Sequence, residues 1–308
     1  MKPSLPDGVS VLERGWLSSN NILIIGSGSA ALIDSGYLTH AAQTVALVED
    51  ALSVRPLDLL LNTHLHSDHC GGNAALQRRF SRLQTEVPVG EFDAVGRWDE
   101  EALSYRATGQ QCQRFNATGK LSPGEERHLG NCTWQIHAAP GHDPQSVMLF
   151  EPASSTLISA DALWENGFGI VFPELTGEPS FAEVAETLDV IESLAPRQVI
   201  PGHGSVFYDL SAALDTARRR LDKLSGDPRR HAKYAFKVLV KFKLLEQQSM
   251  PLDEWEAWRD ATPYLKTIHS RFFGGSDLPS LTDEILAELI HSGAARRHGE
   301  VIENQERG

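Results

Sequence analysis

Residues 62–72 read Asn-Thr-His-Leu-His-Ser-Asp-His-Cys-Gly-Gly, which puts His64, His66, Asp68 and His69 within six positions. Imidazoles crowded together repel or desolvate one another unless something shares their lone pairs. A divalent metal does so, and imidazole with carboxylate is a good donor set for zinc. The spacing suits that chemistry. The apolar run Leu59-Leu60-Leu61 reads as a buried strand reaching Thr63. Side chains two apart on an extended chain share a face, so His64 and His66 can reach one ion. Asp68 and His69 are adjacent and can serve a second ion only if the chain turns there, as Gly71-Gly72 suggests.

Further donors follow downstream. Pro140-Gly141-His142 closes the apolar stretch 134–139, Ile158-Ser159-Ala160-Asp161 closes another, and Val199-Ile200-Pro201-Gly202-His203-Gly204 closes a third. Each donor sits at the carboxyl end of an apolar run, beside turn-forming residues. Loops at one edge of a rigid sheet scaffold are a common way to assemble a site.

The series His64-x-His66-x-Asp68-His69, His142, Asp161, His203 closely resembles the metallo-β-lactamase superfamily over residues 10–225, and Asp34 in Ala-Leu-Ile-Asp-Ser-Gly matches that family's early aspartate. The resemblance implies that His64, His66 and His142 bind one metal and that Asp68, His69 and His203 bind the other. Asp161 would bridge the two, and Asp34 would hold the ligands in place. Two zinc ions per chain are implied, with iron or manganese as alternatives, together with a metal-bridging hydroxide that Asp68 orients and deprotonates. Cys70 departs from the family, which usually has a small non-thiol residue there. It is read as a buried filler rather than a ligand.

The implied fold is α/β, an αββα sandwich of two mixed sheets over residues 1–226, followed by a small, mainly helical, winged-helix-like domain over 227–308. Local patterns agree with such layers. Residues 21–26 and 30–34 read as strands of a hairpin. Its loop, Gly26-Ser27-Gly28-Ser29, mimics a dinucleotide fingerprint but precedes a strand rather than a helix. Helices are expected over 40–53, 73–84 and 181–194, and paired strands over 146–150 and 156–159. Residues 91–106 have helical character and 108–121 look irregular, so the interval 85–130 is either a flap over the site or a surface insertion. Trp164, Phe168 and Phe172 could line the mouth or fill the core. Gly226-Asp227-Pro228 marks the boundary. Beyond it come helices over 231–247, 252–259 and 280–291, the last opening with Ser/Thr caps, and a hairpin over 294–302 turning at His298-Gly299.

Composition narrows the function. The chain has 308 residues and a net charge of −13, which argues against a general nucleic-acid binder. Three cysteines (Cys70, Cys112, Cys132) without a C-x-x-C pair suit a reducing cytosol. The opening residues show no signal-peptide core, and no apolar run is long enough to span a membrane, so a cytoplasmic location is expected. The basic stretch from Arg218 to Lys243 reads as a solvated helix face. The helix carrying Asp283, Glu284 and Glu288 would repel phosphates. The C-terminal module is therefore expected to pack on the first domain, hide Val238, Leu239 and Phe242, shape the site entrance and bind no specific DNA.

The expected function is hydrolysis of a small-molecule ester, thioester or lactone. The alternatives are an RNA endoribonuclease of the same fold, an iron-dependent oxidative relative, or a catalytically silent ligand-binding or signalling protein. A glyoxalase-II-like enzyme would want a basic pocket for glutathione carboxylates, to which Tyr208 and the helix with Arg218, Arg219 and Arg220 could contribute. The choice between monomer and homodimer stays open.

Overall fold

Short runs of Ile, Leu and Val make the strands, and their period of two divides each strand between two packing faces. The computed structural model describes residues 4–305, so the extreme ends of the two expected domains, 1–3 and 306–308, lie outside the described residues. Strands β1 (Val9–Leu12), β2 (Asn21–Ile25), β3 (Ala30–Ile33), β4 (Leu59–Leu61), β5 (Gln84–Pro88) and β6 (Gly119–Leu121) form one sheet in that order. The first three are antiparallel and β3 to β6 run parallel. Strands β7 (Glu126–Leu129), β8 (Cys132–Ala138), β9 (Val147–Glu151), β10 (Thr156–Ala160) and β11 (Gln198–Pro201) form a second sheet ordered β11-β10-β9-β8-β7, parallel only between β10 and β11.

Alternate residues place these sheets face to face. Ile22, Ile24, Ile33 and Leu61 meet Trp134, Ile136, Leu149, Ile158 and Ile200 in the space between them. The intervening Leu23, Leu32 and Leu60 face outward, under Val48 and Leu52 of α1 (Ala41–Leu52) and Leu76 of α3 (Asn73–Arg79). On the other side Met148, Phe150, Leu157 and Val199 carry α7 (Phe181–Leu194) and α8 (Leu210–Ser225) through Val184, Leu188, Ile191 and Leu214. The result is four layers, helix on sheet on sheet on helix. Between β4 and α3 the chain makes one short helix, α2 (Ser67–Cys70).

Two local expectations are corrected here. The helix expected over 73–84 stops at Arg79, and Gln84 opens β5 instead. Thr85 and Val87 are β-branched and buried, and β5 adds beside β4 as a parallel neighbour. The helical stretch expected over 91–106 is broken. Helix α4 (Phe92–Arg97) ends where Trp98 takes a left-handed φ of 55°, and only α5 (Tyr105–Thr108) follows. The interval 85–130 is thus partly sheet. Its Leu103, Tyr105 and Phe115 pack with Leu65 and Cys70 under the histidine-rich loop.

The last helix of the second sheet's outer layer, α8, ends at Ser225. After Gly226-Asp227 comes α9 (Pro228–Gln247), whose N-terminus is capped by Asp227 accepting from the Arg230 amide at 3.0 Å. Helices α10 (Leu252–Ala261), α11 (Pro263–Phe272) and α12 (Leu278–His291) follow, with strands β12 (Ser249–Pro251), β13 (Ala295–His298) and β14 (Val301–Asn304) paired in the order β12-β14-β13. Asp277, not a Ser or Thr, caps α12. Phe236, Leu239, Trp255, Leu265, Ile268, Ile285 and Ile302 share one core that also takes in Ile170 and Leu175, ahead of α7, so the C-terminal helices are packed onto the sandwich. Helix α6 (Phe172–Thr176) lies in that contact.

The basic stretch is largely occupied. Lys233 pairs with Glu284 at 2.6 Å and Glu288 at 2.7 Å, Lys237 with Glu288 at 3.2 Å, and Arg218 with Asp189 at 2.9 Å and Glu192 at 2.5 Å. Such exposed pairs stabilise little, but they engage the cations that a phosphate would need. Among the described residues no helix is long and apolar enough to cross a membrane.

Candidate metal centre

The seven predicted donors arrive at one end of the sandwich from four segments. His64 lies just past β4, His66 caps α2, and Asp68 and His69 lie on α2, so the turn expected at Gly71-Gly72 comes earlier, as this helix. His142 follows β8, Asp161 follows β10 and His203 follows β11. Three sets have donor atoms all within 4.8 Å of one another: His64, His66 and His142; His64, His69 and Asp161; Asp68, His69 and His203.

The two oxygens of Asp161 divide between these sets. Oδ2 lies 3.4 Å from His142 Nε2, while Oδ1 lies 3.3 Å from His69 Nε2 and 3.9 Å from His203 Nε2. Asp68 Oδ2 is 3.2 Å from His203 Nε2 and 3.9 Å from His69 Nε2. His66 Nδ1 stands 2.8 Å from His142 Nε2.

The opposite ring atoms are held from behind. Asp34 Oδ2 accepts from His69 Nδ1 at 2.7 Å, and the same carboxylate accepts from the Thr63 amide at 2.9 Å and the Thr63 hydroxyl at 2.8 Å. Thr63 Oγ1 also lies 3.1 Å from His64 Nδ1, and His142 Nδ1 donates to the Ile170 carbonyl at 2.5 Å. His64 Nε2 and His69 Nε2 are left buried without a hydrogen-bond partner. Buried polar atoms without partners are costly. Convergent imidazole nitrogens and carboxylate oxygens answer that cost when they hold a divalent cation, so the residues fit a pair of metal ions.

Protonation points the same way. Burial, and then His69, His66 and His142, push His64 well below the usual histidine range. Burial and His66 push His142 down to about 4. Burial opposes the charge on Asp161, yet His69, His203 and His142 hold its pKa well below the carboxylate range. Burial likewise opposes a charge on His69, but Asp161 and Asp34 raise its pKa well above the histidine range. Neutral imidazoles and ionised carboxylates are the forms a metal needs, and at His69 a metal would compete with a proton.

The backbone is shaped around these groups. Asp34 and Ala160 adopt left-handed φ values of 57° and 47°. Such strain in non-glycine residues persists only where the surroundings enforce it. At Gly202 a side chain would collide with the Asp161 carboxylate, and at Gly169 with the His142 ring.

A cavity of about 140 Å³ opens over the donors, bounded by Trp16, Trp164, Ile170, Phe172, Phe242 and Tyr264 among others. The Trp16 ring stacks on His203 at 5.4 Å, and Trp164 Nε1 donates to Asp161 Oδ1 at 3.2 Å. Of the three aromatic candidates after Asp161, Trp164 and Phe172 line the cavity, whereas Phe168 is buried in the core beneath Arg220. Val238, Leu239 and Phe242 reach the same cavity from α9. Ser104, Thr108 and Gln110 supply part of its rim, so the 85–130 interval does reach the site. Among the described residues no Lys or Arg lines this cavity, so the helix with Arg218, Arg219 and Arg220 does not supply the basic pocket to which it could have contributed. Arg218 is engaged by Asp189 and Glu192, and the Arg220 guanidinium lies over Phe168 and Tyr234. Cys70 Sγ is directed to the Leu65 and His66 carbonyls, as a filler would be.

Sequence reasoning missed Trp16, Tyr264 and Asp143, whose Oδ2 is 3.7 Å from His66 Nε2. Adjacency to His142 was a usable signal for Asp143. Trp16 and Tyr264 carry none, because only the tertiary fold brings them in.

Comparison with known proteins places these features in a family. Residues 14–203 match the metallo-β-lactamase superfamily. A hydroxyacylglutathione hydrolase of Stenotrophomonas maltophilia is 31% identical over 159 residues, 52% of this chain and 50% of that protein. The chain therefore spans about half the length of that curated relative. A β-lactamase domain protein from Burkholderia ambifaria has a similar fold, with a TM-score of 0.59 and 22% identity over 98% of this chain and 94% of that one. TTHA1623, solved in a di-iron-bound form, gives a TM-score of 0.54 and 26% identity over 68% of this chain and 98% of its own. With two mixed sheets between helices, His/Asp clusters consistent with a dinuclear metal site, and a family match running from before Asp34 to His203, the chain belongs to the metallo-β-lactamase superfamily.

Proposed function

We propose that this protein is a metal-dependent hydrolase of a small ester, thioester or lactone. The observation that carries the reading is a small, largely apolar cavity lined by five of the seven donors, His66, Asp68, His142, Asp161 and His203. His64, His66 and His142 would hold one ion, Asp68, His69 and His203 a second, and Asp161 one oxygen to each. Zinc is the proposed metal, with iron or manganese as alternatives. Bound ions supply Lewis acidity and lower the pKa of water toward ~7.

The protein's own groups do the rest. Asp68 lines the cavity and is positioned to orient a water and take its proton. Trp164 and Phe172 wall the cavity, and their low polarity would strengthen the charge interactions beside them. Thr63, Asp34 and the Ile170 carbonyl keep three rings aimed inward. The name of the Stenotrophomonas relative supports a thioester among the acyl substrates.

The C-terminal part, 227–308, is proposed as a second domain that walls the cavity rather than one that reads nucleic acid. Four helices, α9 to α12, with a three-stranded sheet support the winged-helix-like reading. The engaged lysines of α9 support the absence of a DNA role. An RNA substrate is the weaker reading, since among the described residues no Lys or Arg lines the cavity. The test is metal-replete protein assayed against thioesters, lactones, simple esters and RNA. Release of acid from acyl substrates is expected. Cleavage of RNA with every acyl substrate inert would overturn the reading.

A further inference from the structure

Charge around the donors says what the leaving group cannot be. A glutathione thioester brings two carboxylates, which need cations. Among the described residues, neither the cavity over the donors nor the adjoining one of about 300 Å³ beside His66 and His142 is lined by a Lys or Arg. The adjoining cavity instead carries Glu91, Glu101, Asp143 and Glu178. Glu101 and Glu178 in that adjoining cavity would meet an anionic leaving group as like charges, and like charges brought together cost several kcal/mol.

Shape says what the acyl group is. The cavity over the donors holds about 140 Å³, close to the apolar cavity size known to take benzene. Ile170, Phe172, Val238, Leu239 and Phe242 form its apolar wall. Beyond them lies a further cavity of about 450 Å³ that reaches Leu245 and Lys241. Trp16, Val238 and Phe242 line both cavities and stand between them. Phe242 is braced edge-on by Tyr37 at 5.1 Å, and Tyr37 in turn donates to Glu246 at 2.9 Å. A long acyl chain would have to displace that braced ring.

We infer that the enzyme selects thioesters or esters with a compact apolar acyl group, from butanoyl to benzoyl in size, and a leaving group without negative charge. Val238 and Phe242 of α9 set the length limit. The inference rests on the acyl-hydrolase reading above and narrows it.

The experiment uses full-length, metal-replete protein and neutral N-acetylcysteamine thioesters bearing acetyl, butanoyl, benzoyl and decanoyl groups, beside S-lactoylglutathione. From acetyl to butanoyl, kcat/KM is expected to rise about fourfold per buried methylene, the equivalent of about 0.8 kcal/mol each. It should then fall for decanoyl, and lactoylglutathione should trail butanoyl by about tenfold or more. Phe242→Ala should move the optimum toward decanoyl. Because that change also loosens the packing around Tyr37, Val238→Phe serves as a second variant and should depress benzoyl more than acetyl. Quenching of tryptophan fluorescence by benzoate, followed in wild type and Val238→Phe, gives a binding readout independent of turnover. A flat acyl series, a preference for lactoylglutathione, or benzoate binding untouched by Val238→Phe would overturn the inference and leave the hydrolase reading in place. Inertness toward every acyl substrate would remove both.

Discussion

Replacing Asp34 by Asn tests how the fold aims a ligand. The carboxylate is almost fully buried and accepts from three donors: His69 Nδ1, the Thr63 amide and the Thr63 hydroxyl. Because it can only accept, it fixes one His69 proton on Nδ1, so that a metal has only the proton on Nε2, 3.3 Å from Asp161 Oδ1, to displace. Asn keeps the shape and tolerates the left-handed backbone that Asp34 occupies at φ 57°. Its carbonyl must stay on the Thr63 amide, so its NH2 meets His69. The ring then keeps its proton on Nε2, the atom proposed to bind metal. Loss of such a supporting partner lowers metal affinity about 10- to 100-fold, equivalent to roughly 1.4–2.7 kcal/mol. A competitive chelator titration with zinc should therefore show one of two binding steps weakened by that factor and the other changed less, in a protein whose circular dichroism is unaltered. Two steps identical to wild type in folded Asp34→Asn protein would refute the tautomer reasoning.

Elemental analysis of protein purified without chelator should give near two metals per chain, mostly zinc, and a stoichiometry held at one after reconstitution would exclude a dinuclear centre. Asp68→Ala should lower turnover on the order of 10²-fold or more while the scaffold folds; turnover close to wild type would remove its role as base. His231, buried against Phe181 with Nε2 lacking a partner, is pushed down to about 4 by burial and Arg220. Its unfolded value is ~6.5, so between these pH values the unfolded chain holds a proton the folded chain refuses, and stability falls as pH falls through that window, on the order of 3 kcal/mol in all. Urea midpoints against pH should show a shallower acid slope for His231→Gln, and parallel slopes would discard this account.

The donors were legible because their chemistry is local. His64, His66, Asp68 and His69 announce themselves by spacing alone, and the remaining three stand at the ends of apolar runs that became β8, β10 and β11. The hairpin of β2 and β3, the pair β9 and β10, and α7 were readable from period and turn residues. Other elements were not, for identifiable reasons. Thr85 and Val87 extend a run that also reads as helix, and only pairing with β4 makes it a strand. The end of α4 depends on a left-handed Trp98, which no pattern marks. Helix α11 begins at Pro263, and its buried Leu265 and Ile268 are too few to stand out. For the cavity wall, the apolar face of α9 led to the expectation that Val238, Leu239 and Phe242 shape the site entrance, but the partners that hold the face there were not readable. Val238, Leu239 and Phe242 reach the cavity over the donors because Ile170 and Leu175 join the core of the C-terminal helices.

That wall is late in the chain. Every proposed ligand has been made by His203, whereas Val238 and Phe242 follow only with α9. A nascent polypeptide paused between these points would carry a complete donor set open to water and to any ester that diffused by. Discrimination between substrates would arrive separately from the donors, with the emergence of α9. The same separation lets mutation act on the two halves independently. By the inference above, substitutions at 238 and 242 would redirect substrate choice and leave the histidines and aspartates untouched.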